Sequence, residues 1–356
     1  MTVLRVTDLA RASGRHRYNC RVLEIGLNPY GVAFTVGLQA AGTERANPQP
    51  AGLDGFIGMA GGINARCIEL DWRWLTPRST EEIVRLRDRL QGMTRVCSFW
   101  LQQREGETLE DAVRCAKALG AALVRLHLTP VLEGARAACG PRWRGMVDHG
   151  RKTIRREAGR AAEAGLALAI ENHQDFGSEE LLEIAQAAGP AVGIVLDTGN
   201  PFAVGEDPVA FAARVAPLVR HVHLKDYRAQ FTNAGYRLVR CAVGDGCVPL
   251  GEMVDALSRE GPLTASIELG ALEARHIRLF DRGWWTGYPV RQASELATAL
   301  GRLQRHALGP TEDFRTPWER GDPAHAIVEY ELGQLRRSVD YLRAIGWMST
   351  PRGDVS

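Results

Sequence analysis

The sequence has no CxxC pair, and its seven cysteines, Cys20, Cys67, Cys97, Cys115, Cys139, Cys241 and Cys247, are scattered along the chain. That scatter and the odd count argue against a disulfide framework and leave reduced, mostly packed thiols. No apolar run approaches the ~20 residues needed to cross a bilayer. The amino-terminal stretch MTVLRVTDLARASGRH lacks the apolar centre of a signal peptide, so the expected location is the cytoplasm, with no membrane partner. An excess of charge of one sign is lacking too, the formal net value being +2. The arginines are spread along helical patterns, as on solvated faces, and form no basic stripe of the kind that binds nucleic acid. Gly244-Asp245-Gly246 is not a dinucleotide fingerprint, because no strand leads directly into it and no GxGxxG is present. Internal repeats and low-complexity tracts are also lacking.

What is present is the composition of a globular protein, 45% hydrophobic and 24% charged over 356 residues, enough to bury a large core. Strand-like apolar runs alternate with helical patterns, the order of a parallel α/β sheet. Residues 1–31 contain charge, Gly14 and an NPYG turn signal, and read as an amino-terminal extension. Residues 32–38 (VAFTVGL) read as the first strand, 67–72 as the second with Glu69 and Asp71 on one face, and 95–101 as the third. The fourth, at 123–128, puts Arg125 and His127 on one face. Ser79 or Thr80 caps a helix through Arg89, whose first turn carries Glu81 and Glu82 where the helix dipole favours negative charge.

Further along, residues 227–246 read as a polar insertion, too long for an ordinary strand-to-helix connection. Residues 271–289 read as a second long loop, whose aromatics Phe280, Trp284 and Trp285 would cover a ligand or fill a subunit interface. Asp322-Pro323 opens a last helix as a cap followed by proline, with Ile327, Tyr330, Leu335, Val339 and Leu342 at helical spacing. The expected division is an extension over 1–31, a barrel over 32–309 and a carboxyl-terminal helical extension over 310–356.

Four apolar runs in the second half each end in a residue that can bind a metal. LALAIENH closes on Glu171, GIVLDTGN on Asp197, RHVHLKD on His223 and TASIELG on Glu268. Neighbours in a strand point to opposite faces, so Leu168 and Ile170 oppose Glu171, Leu196 opposes Asp197, Val222 and Leu224 oppose His223, and Ile267 opposes Glu268. The apolar faces would pack under helices, and the polar residues would converge at the carboxyl ends of the strands, where barrel enzymes keep their chemistry. Alone, each of these residues would be an ordinary helix cap or a satisfied core group. Four with matching parity point to a site.

At these residues the chain resembles the xylose-isomerase-like barrel superfamily, whose members include sugar isomerases, ketose 3-epimerases, inosose dehydratases, 3-oxo-glycoside deglycosylases and apurinic endonucleases. The resemblance covers about residues 164–270 and implies a (β/α)8 TIM barrel. It also implies that Glu171, Asp197, His223 and Glu268 bind one divalent cation. Three carboxylates and one imidazole make a hard, oxygen-rich set suited to Mn2+, the expected ion, and to Mg2+ or Co2+, with zinc also accommodated. The activity implied is a metal-dependent sugar isomerase or epimerase working by α-proton abstraction through a metal-stabilised enediolate, with Glu171 and Glu268 exchanging the proton.

His173, two residues beyond Glu171, is a further catalytic candidate. Lys225, His127 and Trp72 are candidates for holding the substrate, a small carbohydrate. A lyase would share the first step and then expel a β-substituent. Asn200 favours that alternative, since several ketose epimerases have histidine there, and the two long loops suit a substrate larger than a bare ketose. Apurinic endonucleases use three metals and a richer histidine set, which nine histidines and a charge near neutral do not match. The assembly expected is a homo-oligomer, or a hetero-oligomer with a small partner subunit.

Overall fold

The computed structural model describes residues 23–100, 108–257, 262–270 and 273–349. Eight parallel strands close into a barrel in the order β1-β10-β7-β6-β5-β4-β3-β2. They are β1 (Leu23–Leu27), β2 (Cys67–Asp71), β3 (Thr94–Trp100), β4 (Leu123–His127), β5 (Ala167–Glu171), β6 (Val192–Asp197), β7 (Val219–Leu224) and β10 (Leu263–Ile267). The helices around it are α1 (Gly52–Gly62), α2 (Thr80–Arg89), α3 (Leu109–Leu119), α4 (Arg142–Glu163), α5 (Ser178–Ala188), α6 (Pro208–Val215), α7 (Leu250–Ala256) and α8 (Ala293–Arg305).

Local chemistry sets the helix ends. Ser79 caps α2 in a reciprocal pair with Glu82, Thr108 caps α3 with Asp111, and Gly120 ends α3 in the left-handed conformation at φ 63°. The strands follow the expected parity. Val124, Leu126, Leu168, Ile170, Ile194, Leu196, Val222, Leu224, Ala265 and Ile267 point outward into the layer beneath the helices. Full burial of such side chains stabilises by about 1.5–3 kcal/mol each. Inside the barrel, Val96, Leu123, Ala169 and Val195 form a small apolar plug, and polar residues occupy the rest of the interior up to the mouth.

Three elements differ from the expectations. The first barrel strand is Leu23–Leu27, so the barrel begins nine residues before 32, and of the expected extension residues 1–22 lie outside the described residues. Residues 32–38 form no strand: a 3-10 turn over Pro29–Val32 runs into further turns, with Val36 N donating to Val32 O at 3.0 Å and Leu38 N to Ala33 O at 2.9 Å, and Val32 through Val36 are all buried, where a half-buried alternating strand would expose Ala33 and Thr35. The 227–246 insertion is largely a hairpin of β8 (Asp226–Thr232) and β9 (Gly235–Cys241), extended by β11 (Arg275–Ile277) into an antiparallel sheet of order β11-β9-β8. Within 271–289, Trp284 is buried and stacks on Tyr288 with centroids 4.7 Å apart, while Phe280 is exposed.

The last helix, α9 (Ala324–Ala344), packs on the outside with Pro323 at its N-cap. Its buried Glu331 accepts hydrogen bonds from Phe34 N at 3.1 Å, Thr35 N at 2.8 Å and Thr35 Oγ1 at 2.8 Å. No helix among the described residues is long and apolar enough to cross a membrane.

Candidate metal centre

The barrel geometry brings Glu171, Asp197, His223 and Glu268 together at the carboxyl ends of β5, β6, β7 and β10. One donor atom from each lies within 4.8 Å of every other, and all four residues are buried. Nδ1 of His223 is 2.7 Å from Glu268 Oε2 and 3.7 Å from Glu171 Oε1. Its Nε2 points the other way, 2.9 Å from Glu69 Oε2, and Ser98 donates to the second oxygen of Glu69. A carboxylate on the far nitrogen is the usual partner of a metal-binding histidine, because it fixes the tautomer and ring orientation. Burial opposes charge on His223, but Glu69, Glu268 and Glu171 outweigh it and hold the imidazole well above the ordinary histidine range.

The loop after β6 is built around Asp197. Its Oδ1 accepts from the backbone N–H of Gly199 at 3.0 Å and of Asn200 at 3.1 Å, leaving Oδ2 for the centre. Gly199 is required by space: a Cβ there would lie 2.5 Å from the Tyr227 ring. Asn200, whose Nδ2 donates to Asn172 O at 3.0 Å and whose Oδ1 accepts from Gln174 at 3.4 Å, ties this loop to the end of β5. Burial pushes Asp197 up to about 6 despite Lys225, whose Nζ is 2.5 Å from Asp197 Oδ2 and 3.0 Å from Glu268 Oε1.

The remaining candidates separate into two groups. His127 and His173 stack with centroids 4.5 Å apart, His127 meets Trp100 at 5.1 Å, and Trp100 stacks on Tyr30 at 5.2 Å, so an aromatic wall flanks the centre. Burial pushes His127 down to about 4 and His173 well below the usual range, leaving both imidazoles neutral. Trp72 is not part of this wall. It follows Asp71 onto the outer side of the barrel and packs edge-on to Phe99 at 6.0 Å within the core.

Sequence reading missed Asn28 and Tyr30, which it placed in a terminal extension, and Trp100. Asn28 is fully buried, and its Nδ2 donates to Glu268 Oε2 at 3.2 Å. The Tyr30 hydroxyl accepts from Arg73, itself held by Asp71. Parity had already put Arg125 inside the barrel; it forms an ion pair with Glu171.

These residues fit a divalent cation. Both Glu171 oxygens and His223 Nδ1 are buried with ion-pair neighbours but without a hydrogen bond. Burying charge without full compensation is costly. With His223 neutral, as a metal ligand must be, the carboxylates of Glu69, Glu171, Asp197 and Glu268 outnumber Arg125 and Lys225 by two, the charge that such a cation carries. The same region, residues 98–276, matches the family model for the xylose isomerase-like TIM barrel.

The chain belongs to the xylose isomerase-like TIM barrel family. It is 31% identical over 118 residues to the rhizopine catabolism protein MocC of Rhizobium meliloti, a match covering 29% of this chain and 36% of that one. It is 28% identical over 159 residues to the inosose dehydratase of Clostridium beijerinckii, covering 39% of this chain and 52% of the relative. Both matches thus span only about a third to a half of the relative's length. Among solved structures, a D-psicose 3-epimerase determined in the presence of D-fructose superposes with a TM-score of 0.50 at 15% identity, over 82% of this chain and 93% of that one. At that identity the likeness is one of fold.

Proposed function

We propose that this barrel is a divalent-metal-dependent isomerase or epimerase that removes and returns the α-proton of a ketose or oxidised sugar. The observation that carries the reading is the convergence of Glu171, Asp197, His223 and Glu268 on one buried point in the mouth. When bound there, the cation supplies the positive charge that stabilises negative charge developing on the substrate's carbonyl oxygen. Glu171 and Glu268 each bring a carboxylate oxygen toward Nδ1 of His223 and act as the groups that take and return the proton. Lys225, positively charged and bridging Asp197 and Glu268, orients both carboxylates and donates to a substrate oxygen. The wall of Tyr30, Trp100, His127 and His173 excludes water and packs against the sugar face.

A second reading, a lyase, has its own observation. Elimination uses an acid to protonate the leaving group as well as a base for the α-proton. His173, neutral and with a buried Nδ1 that lacks a hydrogen bond, offers one beside Glu171. The inosose dehydratase relative is in accord with that chemistry. The test is metal analysis of the purified chain followed by proton exchange in D2O with ketoses and 3-oxo-glycosides. Exchange without elimination supports the isomerase; release of water or an aglycone supports the lyase. No exchange with metal at saturation would reject both.

A further inference from the structure

Two arginines in the sheet that caps the barrel have no role in the centre described above. In the β8–β9 pairing Arg240 stands opposite Tyr227, and in the β9–β11 pairing Arg275 stands opposite Leu238. Opposed residues project to the same face of a sheet, so Tyr227, Arg240 and Arg275 share one. That face is turned to the barrel: the Tyr227 ring lies against Gly199, and the Tyr236 hydroxyl donates to Phe202 O at 2.6 Å.

Neither guanidinium has a carboxylate within ion-pair distance among the described residues. Arg240 is 5% exposed, and its one side-chain hydrogen bond there is to the backbone carbonyl of Glu273, at 2.9 Å. Arg275 is half-buried, with an Nε that lacks a partner. The acidic groups nearest in charge are engaged elsewhere: Glu133 accepts from His276 N at 3.1 Å, and Glu273 accepts from Trp318 Nε1 at 2.8 Å. Burial and the neighbouring Arg240 charge both lower the pKa of Arg275. Two like charges, one buried and one half-buried, with no carboxylate in ion-pair reach are costly, and planar guanidinium forks match carboxylate and phosphate oxygens.

We propose that Arg240 and Arg275 bind an oxyanion carried by the substrate, a carboxylate or a phosphate, above the reacting end of the sugar. The proposal rests on the reading of the centre as a sugar site. Tyr227, opposite Arg240, lies two residues beyond Lys225, roughly 7 Å along the strand. The anion therefore belongs to a part of the substrate several atoms from the carbonyl, and a bare neutral ketose would leave the roof unfilled.

The test titrates the full chain calorimetrically, with and without Mn2+, against inorganic phosphate, D-glucuronate and D-glucose at one ionic strength. Both anions should bind more tightly than glucose. Arg275→Gln should weaken both by about ten- to a hundred-fold, the effect of a lost charge-assisted contact, and Arg275→Lys should recover part of it. An anion held by the cation instead would be indifferent to Arg275→Gln, and that result overturns the proposal. So does binding of the anions no tighter than that of glucose. Arg240→Gln, checked for an unchanged melting temperature, provides a second variant with the same expected loss. The tighter of phosphate and glucuronate identifies the group. Proton exchange on neutral ketoses without anion binding would remove the arginine site alone. Anion binding sensitive to Arg275, with no exchange on any sugar, would remove the isomerase reading and leave the arginines as an anion site.

Discussion

The imidazole of His223 shows how much of this centre depends on residues that would touch neither cation nor sugar. Glu69 binds its Nε2 and so keeps Nδ1 aimed at Glu171 and Glu268. Glu69→Gln should keep the fold but lower Mn2+ affinity by about ten-fold or more, measured by calorimetry, as expected for a partner on the far side of a metal ligand. The proton is assigned by a pair of variants compared at matched metal occupancy. Glu268→Gln should reduce D2O exchange by about 10²–10⁴-fold, whereas His173→Ala should leave most of it; the reverse pattern would make the histidine the base. His127 sets a pH dependence. Its folded pKa of about 4 lies below the ordinary 6.5, so between these values the unfolded chain binds more protons, and stability rises with pH across that window. The contribution, roughly 3 kcal/mol, is lost on acidification toward pH 4. In His127→Gln the fall in melting temperature across that window should be shallower.

At the scale of the element, the cap depends on the turn after β9. Asp226 accepts from the backbone N–H groups of Tyr227, Gly244, Gly246 and Val248 at 2.9–3.0 Å. A Cβ on Gly246 would stand 2.2 Å from Asp226 Oδ1 and 2.5 Å from Tyr227 O. Gly246→Ala should therefore destabilise the chain by about 1–3 kcal/mol, with hydrogen exchange rising first in β8 and β9. The period-2 alternation of this hairpin was present in the sequence, with Tyr227, Ala229 and Phe231 alternating with Arg228 and Gln230, but its polar content made it read as a loop. The four ligand strands were legible because one face is apolar and the other ends in a group that can bind a metal. Residues 32–38 misled for the opposite reason: Phe34 is buried against Trp318 and Ile327, and Val32 and Val36 in the main core, so tertiary packing overrode strand propensity. Trp72 was misplaced because the chain turns at Asp71, whose side chain caps the short helix that follows. Asn28 and Tyr30 sit beyond a first strand that its unremarkable sequence concealed.

For the whole molecule, the cation and the fold share one free energy. The centre is assembled from four strands far apart in sequence, so binding to the native state alone raises stability by about 2.7 kcal/mol when the free ion is at a hundred times its dissociation constant. Mn2+ should raise the melting temperature by several degrees and EDTA should reverse it, while Asp197→Asn should blunt the response. A melting temperature indifferent to every divalent ion would contradict the centre.

The tie between Glu331 and the backbone of Phe34 and Thr35 also bears on synthesis. Those residues leave the ribosome almost 300 positions before their acceptor, Thr35 and Glu331 being 296 apart. The turn that follows the first barrel strand, next to Asn28 and Tyr30, lacks this tie until Glu331 has been synthesised. A pause in translation before Glu331 would therefore leave that turn without this anchor in a molecule whose eight barrel strands have all been made, a state in which chaperones have time to act.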